Sequence, residues 1–259
     1  MSLATPSDRY FLGTLPWYSV LIVGAIFLSV LLSMYEEKKR GLPKDTVIDS
    51  AFYLIPLGII GARLYYVLFE WPQFASSPLS IFKIWEGGLA IYGALIGGFI
   101  GLFLFAKRKK LAFPMLLDLY SPCVVLSQAI GRWGNYFNQE AYGYAAINPT
   151  HQFFPLAVFI THEAPPAWHY ATFFYESVWD LAIFLILLIL RRKPLREGNL
   201  FLIYIMLYAL GRAVIEGMRT DSLMAFGGTI RVSQILSILL ASGIGIYLLL
   251  QARRRKTHA

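Results

Sequence analysis

Residues 173–190 read FFYESVWDLAIFLILLIL, and the next three are Arg191, Arg192 and Lys193. An apolar stretch of this length, closed by a basic cluster, suits a helix that crosses the ~30 Å hydrocarbon core of a bilayer and stops at its polar face. Two acids interrupt it, Glu176 and Asp180, one helical turn apart, and lipid does not tolerate such groups without partners. Six further runs of the same kind occupy about 16–35, 47–69, 87–106, 114–131, 199–217 and 232–250. Composition agrees: of 259 residues 57% are apolar, 16% aromatic and only 15% charged. The mean hydropathy of +0.57 excludes both an ordinary soluble domain and a disordered chain. The first run lacks the basic start and small-residue cleavage site of a secretory signal, so it reads as a mature helix. The expected fold is an all-α integral membrane protein with seven transmembrane helices, a single polytopic domain over residues 1–259.

Lys and Arg gather in short cytoplasmic loops. Sixteen of the 23 basic residues follow runs one, three, five and seven, within 38–44, 107–110, 191–196 and 253–256. Arg9, Lys83, Arg132, Arg219 and Arg231 fall on the other side, and Arg63 and Arg212 lie inside runs. This bias predicts an N-terminus outside and a C-terminus in the cytoplasm. The net charge of +8 then reflects orientation against an anionic inner leaflet, and nucleic acid is not expected as a partner. Cys123 is the only cysteine, so no intramolecular disulfide can form, and in mid-helix it reads as a small hydrophobe. The histidines show no metal-ligand spacing, and neither metal nor cofactor is expected.

Between helices four and five, residues 132–172 read as a small external head, non-helical and rich in proline and aromatics. Trp71 and Trp85 mark a second external segment at interfacial depth. Gly93, Gly97 and Gly101 form a small-residue ridge suited to close helix packing. No internal repeat of the kind that marks secondary transporters is visible.

Counting 1.5 Å of rise per residue places Arg63, Tyr92, Arg132, Glu140, Tyr175, Glu176, Arg212, Glu216 and Arg219 near the outer leaflet. The i,i+4 and i,i+3 spacings of Arg212, Glu216 and Arg219 predict one helical face. Asp49 and Asp118 fall in the inner half near helix starts, where the helix dipole suits them. Four arginines against three glutamates are expected to leave unneutralised positive charge. Guanidinium offers planar, bidentate donors to phosphate, and a lipid headgroup supplies phosphate at that depth.

Residues 131–143 read G-R-x-G-N-Y-x-N-x-E-x-x-G. This closely resembles the signature of the prolipoprotein diacylglyceryl transferase family. The resemblance continues at Trp17-Tyr18, Gly61-Ala62-Arg63, the run Gly87 to Gly93, Tyr175-Glu176, Gly211-Arg212 with Glu216 and Arg219, and Ser233-Gln234 with Ser237. It implies a bacterial cytoplasmic (inner) membrane enzyme, its site facing the outer leaflet. Such an enzyme moves the diacylglyceryl group of phosphatidylglycerol onto the lipobox cysteine thiol of a prolipoprotein signal peptide, forming a thioether and releasing glycerol phosphate. Arg132, Arg212, Tyr92 and Glu140 would then be catalytic. Arg63, Asn135, Asn138, Gly143, Tyr175, Glu176, Glu216 and Arg219 would bind substrate.

Two departures touch the chemistry. Tyr92 stands where many members have histidine, and the family's His-Pro-Thr before Tyr-Glu appears as Tyr170-Ala171-Thr172, with His169 adjacent. A phenol with an ordinary pKa near 10 donates a hydrogen bond better than it accepts a proton at pH 7, which leaves the general base open. The alternatives are a phospholipid transporter or scramblase, which would use the same arginines without making bonds, and a same-fold transferase with a different acceptor.

Overall fold

The structure is a computed structural model that describes residues 5, 9–220, 224–225 and 230–257. In chain order, the short pair β1 (Tyr10–Phe11) and β2 (Leu15–Pro16) leads into α1 (Trp17–Lys39), α2 (Thr46–Phe69) and the single turn α3 (Trp71–Ala75). Then come α4 (Ile91–Lys109), α5 (Phe113–Asn138), the hairpin β3 (Ala157–Ile160) and β4 (Ala167–Tyr170), α6 (Thr172–Leu190) and α7 (Asn199–Ile215). The short pair β5 (Met224–Ala225) and β6 (Ile230–Arg231) precedes α8 (Val232–Thr257). Among the described residues, seven helices are long and apolar enough to cross a membrane, which bears out the seven runs. The chain divides into two compact units, residues 1–31 with 120–259 and residues 32–119, and the divisions fall within α1 and α5.

In the 32–119 unit, α2 packs along α4 with almost no side chain between the backbones. A Cβ on Gly97 would stand 2.0 Å from the Leu57 carbonyl oxygen, and one on Gly93 2.2 Å from that of Gly61. The glycine ridge is therefore a packing surface, as its spacing suggested. At the start of α2, Asp45 makes no side-chain cap, and the Glu37 carboxylate from α1 accepts the Val47 N–H at 2.7 Å instead. The third run was expected to be helical from residue 87, yet α4 begins at Ile91. Gly87 and Gly88 have φ of +93° and +73°, outside any right-handed helix.

The larger unit is built on α5, α6, α7 and α8. Val125, Ile183, Leu187, Leu200 and Tyr204 form its buried apolar centre. A second cluster, Tyr136, Val158, Ile160, Ala171 and Phe173, with Trp133 and Phe154 packed against it, ties the β3–β4 hairpin to the ends of α5 and α6. The hairpin is antiparallel, with Val158 opposite His169 and Ile160 opposite Ala167. The expected non-helical start of the head at Arg132 is corrected: α5 continues through the signature to Asn138. Gly134 sits inside that helix because the Tyr18 ring occupies the space beside it, 2.4 Å from where its Cβ would be. Trp17 stacks on Phe137 at 4.9 Å and closes the same corner.

Candidate active site

Three helices of the larger unit carry the polar residues. Glu176 lies one turn into α6 and is only 5% exposed. Its carboxylate faces three guanidinium groups: Arg132 of α5 (Nε to Oε2, 3.0 Å), Arg212 of α7 (Nη1 to Oε1, 2.7 Å) and Arg219 (Nη1 to Oε2, 3.5 Å). Glu216, 1% exposed, holds Arg212 from the other side at 2.5 Å. The Tyr208 hydroxyl accepts from Arg132 Nη2 at 3.3 Å. With Trp179, Asp180, Gly211 and Ile215 these groups line a cavity of about 10 Å³, room for a single water molecule. Asp180 is buried, and its Oδ2 has no hydrogen-bond partner among the described residues. Trp179 donates from Nε1 to the Leu207 carbonyl, which lays its indole over Gly211; a Cβ there would be 2.1 Å from the indole nitrogen.

The expectation that Arg212, Glu216 and Arg219 share a helical face holds for the first two alone. After Ile215 the chain tightens into a 3-10 turn over Glu216–Met218, and Arg219 has extended backbone, φ −81° and ψ 147°. A backbone bridge to Gly143 positions it. Gly143 is confined too, since a Cβ would meet the Met218 carbonyl oxygen at 3.0 Å. The signature's polar residues gather by themselves: Asn135 and Asn138 each donate to Glu140 Oε1 at 3.1 Å, and Arg9 Nε donates to Asn138 Oδ1. The Tyr175 hydroxyl donates to the Leu156 carbonyl and pins the head to α6.

Of the four arginines, three meet around Glu176 within the larger unit. Arg63 belongs to the other unit, where each of its five N–H groups meets a backbone carbonyl: Ser80, Ile81, Lys83, Gly87 and Gly88. It braces a loop. Three arginines face Glu176 and Glu216, and Asp180 lines the same cavity. Tyr92, also in that unit, is 65% exposed, with its ring 6.1 Å from that of Tyr65. Cys123 is buried, as its apolar surroundings predicted. Among the described residues, no three His, Cys, Asp or Glu side chains cluster as metal ligands.

Sequence reasoning missed Tyr208 and Arg231. Tyr208 is four residues before Arg212, a spacing that shares one helical face and would have found it. Arg231 donates to the Glu216 carbonyl and to the Tyr144 hydroxyl, a contact between distant segments that no local pattern reveals.

The model of the prolipoprotein diacylglyceryl transferase family matches residues 11–250. A Halalkalibacterium halodurans protein named phosphatidylglycerol–prolipoprotein diacylglyceryl transferase is 44% identical over 257 residues, 97% of this chain and 88% of its own length. Proteins of the same name from Listeria monocytogenes (45% identity, 89% of this chain and 84% of the relative) and Limosilactobacillus reuteri (43%, 94% and 88%) are similar to it as well. With the family's own model covering nearly the whole chain, and relatives of 43–45% identity matched over most of their length, the chain belongs to the prolipoprotein diacylglyceryl transferase family.

Proposed function

We propose that this protein transfers the diacylglyceryl group of phosphatidylglycerol to the cysteine thiol of a prolipoprotein, at a site on the outer leaflet of the bacterial cytoplasmic membrane. The sulfur forms a bond to the glyceryl carbon as the carbon–oxygen bond to phosphate breaks, the thiol proton is released, and glycerol phosphate leaves. The observation that carries this reading is the convergence of Arg132, Arg212 and Arg219 on Glu176. Charge grows on the departing phosphate, and donors already fixed in place stabilise it without reorganising. Arg132 and Arg212 are 19% and 22% exposed in their side chains, enough to meet a headgroup, and we assign them as the phosphate clamp. The same positive field favours thiolate over thiol in the acceptor.

Glu176 and Glu216 hold the guanidinium groups in register, and Arg219 completes the set. Asn135, Asn138 and Glu140 form the polar rim, Gly143 lets the strand approach, and Tyr175 fixes the head. Tyr92 offers a phenolic hydrogen bond to the lipid. Arg63, with all its donors engaged, acts by shaping the 80–88 loop. The acceptor is a signal peptide whose lipobox cysteine has already crossed the membrane. The names of the relatives favour this reading over a transporter.

The test is mass spectrometry of a lipobox peptide incubated with the purified protein and phosphatidylglycerol vesicles. The expected result is a gain of one diacylglyceryl unit on cysteine. Movement of labelled lipid across the vesicle bilayer without any peptide adduct would replace the transferase with a transporter.

A further inference from the structure

His169 lies on β4, outside the motifs that carry the chemistry, and is 6% exposed. Its Nδ1 is 2.8 Å from the Gly143 carbonyl oxygen, and its Nε2 is 2.8 Å from Glu163 Oε2. A carbonyl oxygen accepts and cannot donate, so Nδ1 carries a hydrogen. Glu163 is held as a carboxylate, because the Tyr142 hydroxyl donates to its other oxygen at 2.5 Å. That hydrogen bond, followed by the contact with His169, puts the Glu163 carboxyl below the usual carboxylate range. An ionised carboxylate is also acceptor only, so Nε2 carries a hydrogen too. Both ring nitrogens face acceptors, and the ring satisfies both only as an imidazolium.

The clasped strand pairs with the segment that carries Arg219, one of the three arginines of the cluster. Gly143 N–H donates to the Tyr170 carbonyl at 2.9 Å, Tyr144 N–H donates to the Met218 carbonyl at 3.0 Å, and Thr220 Oγ1 donates to the Tyr142 carbonyl. Residues 142–144 thus run between β4 and the 218–220 segment, and Gly143 bridges directly to Arg219. The other ionisable groups nearby are His162, turned to Gln139 and with its ring 6.3 Å from that of Tyr142, and Tyr170, whose hydroxyl is bonded to His151.

We propose that His169, clasped as an imidazolium between Glu163 and the Gly143 carbonyl, is a positioning residue for this transferase. It fixes residues 142–144, against which the 218–220 segment that carries Arg219 is paired. The proposal rests on the transferase reading for its activity readout, and its protonation readout is independent of that reading. The Glu163 carboxyl is depressed in the folded protein, so its part of the clasp is complete above the ordinary carboxylate range. It is lost as pH falls through the lowered value.

The test uses the full-length protein in detergent micelles with three variants, each checked for an unchanged thermal midpoint. His169→Phe keeps the ring volume and removes both donors. It is expected to lower kcat about ten-fold, the worth of one charge-assisted hydrogen bond, with KM for lipid and peptide nearly unchanged. His169→Asn, which keeps a donor toward Gly143, should recover part of that loss, and Glu163→Gln should behave like the phenylalanine variant. Nitrogen-15 histidine spectra at neutral pH, assigned by the signal missing from His169→Asn, should show both ring nitrogens of His169 protonated. In Glu163→Gln the same ring should show one. A neutral tautomer in the wild type, or full kcat in a folded His169→Phe, would overturn the clasp. If His169→Phe does not fold, the Glu163→Gln kinetics and the wild-type spectrum decide. If the wild type transfers no lipid, the functional reading fails and the ring spectrum alone judges the clasp.

Discussion

Glu176 is a single carboxylate serving three guanidinium groups from three parts of the chain. Its removal would leave those cations buried without their common partner, a loss that typically costs about 3–5 kcal/mol. Glu176→Gln is therefore expected to lower the thermal midpoint of the detergent-solubilised protein and to abolish transfer, and an unchanged midpoint would show that the cluster is hydrated and loosely held. Arg132→Lys tests the clamp. Lysine keeps the charge and loses the planar fork, so transfer to a lipobox peptide should fall about 10²-fold, as it does when one transition-state donor is lost. Near-normal turnover in a folded Arg132→Lys would make Arg132 a packing residue. The pairing of Arg212 with Glu216 was legible from their four-residue spacing. The convergence on Glu176 was not, because contacts between helices leave no periodic trace. The loop contacts of Arg63 were hidden for a related reason: counting residues gives depth, and depth does not say that five carbonyls of a nearby loop will take every donor.

At the scale of elements, the α2–α4 pair makes the sharpest comparison. Gly97 and Gly98 are adjacent, and a Cβ on Gly97 would strike the Leu57 carbonyl oxygen at 2.0 Å, whereas nothing lies within 4 Å of one on Gly98. Gly97→Val should therefore destabilise the protein by about 1–3 kcal/mol, the usual cost of overpacking. Gly98→Val should stay within about 0.5 kcal/mol of wild type. Equal melting shifts for the two would mean that α2 and α4 do not meet along this ridge. The helices themselves were readable because a bilayer demands long apolar runs. Their ends were less so. The prolines and aromatics of 132–172 suggested a non-helical segment from Arg132, yet the helix runs on through Gly134 to Asn138, since membrane helices carry glycine readily and Gly134 gives its space to Tyr18. Arg219 shows the opposite error, a helical spacing continued past the point where the helix has ended.

For the whole molecule, the basic clusters predict that the head and the basic loops lie on opposite sides of the membrane. Ile147, in the head, is 87% exposed, and Lys193 is exposed after α6. A membrane-impermeant maleimide applied to intact cells is expected to label Ile147→Cys and to spare Lys193→Cys until the cells are opened. The reverse pattern would invert the topology and move the arginine cluster to the cytoplasmic leaflet. The background in such an experiment is low because the native Cys123 is buried, and that burial has a meaning of its own. The proposed acceptor presents its sulfur in an oxidising compartment, where two accessible thiols held close together become a mixed disulfide. An enzyme whose own sulfur is shut away among apolar helices cannot be trapped by its substrate in that way, and the acceptor thiol is left with carbon as the partner the site presents to it.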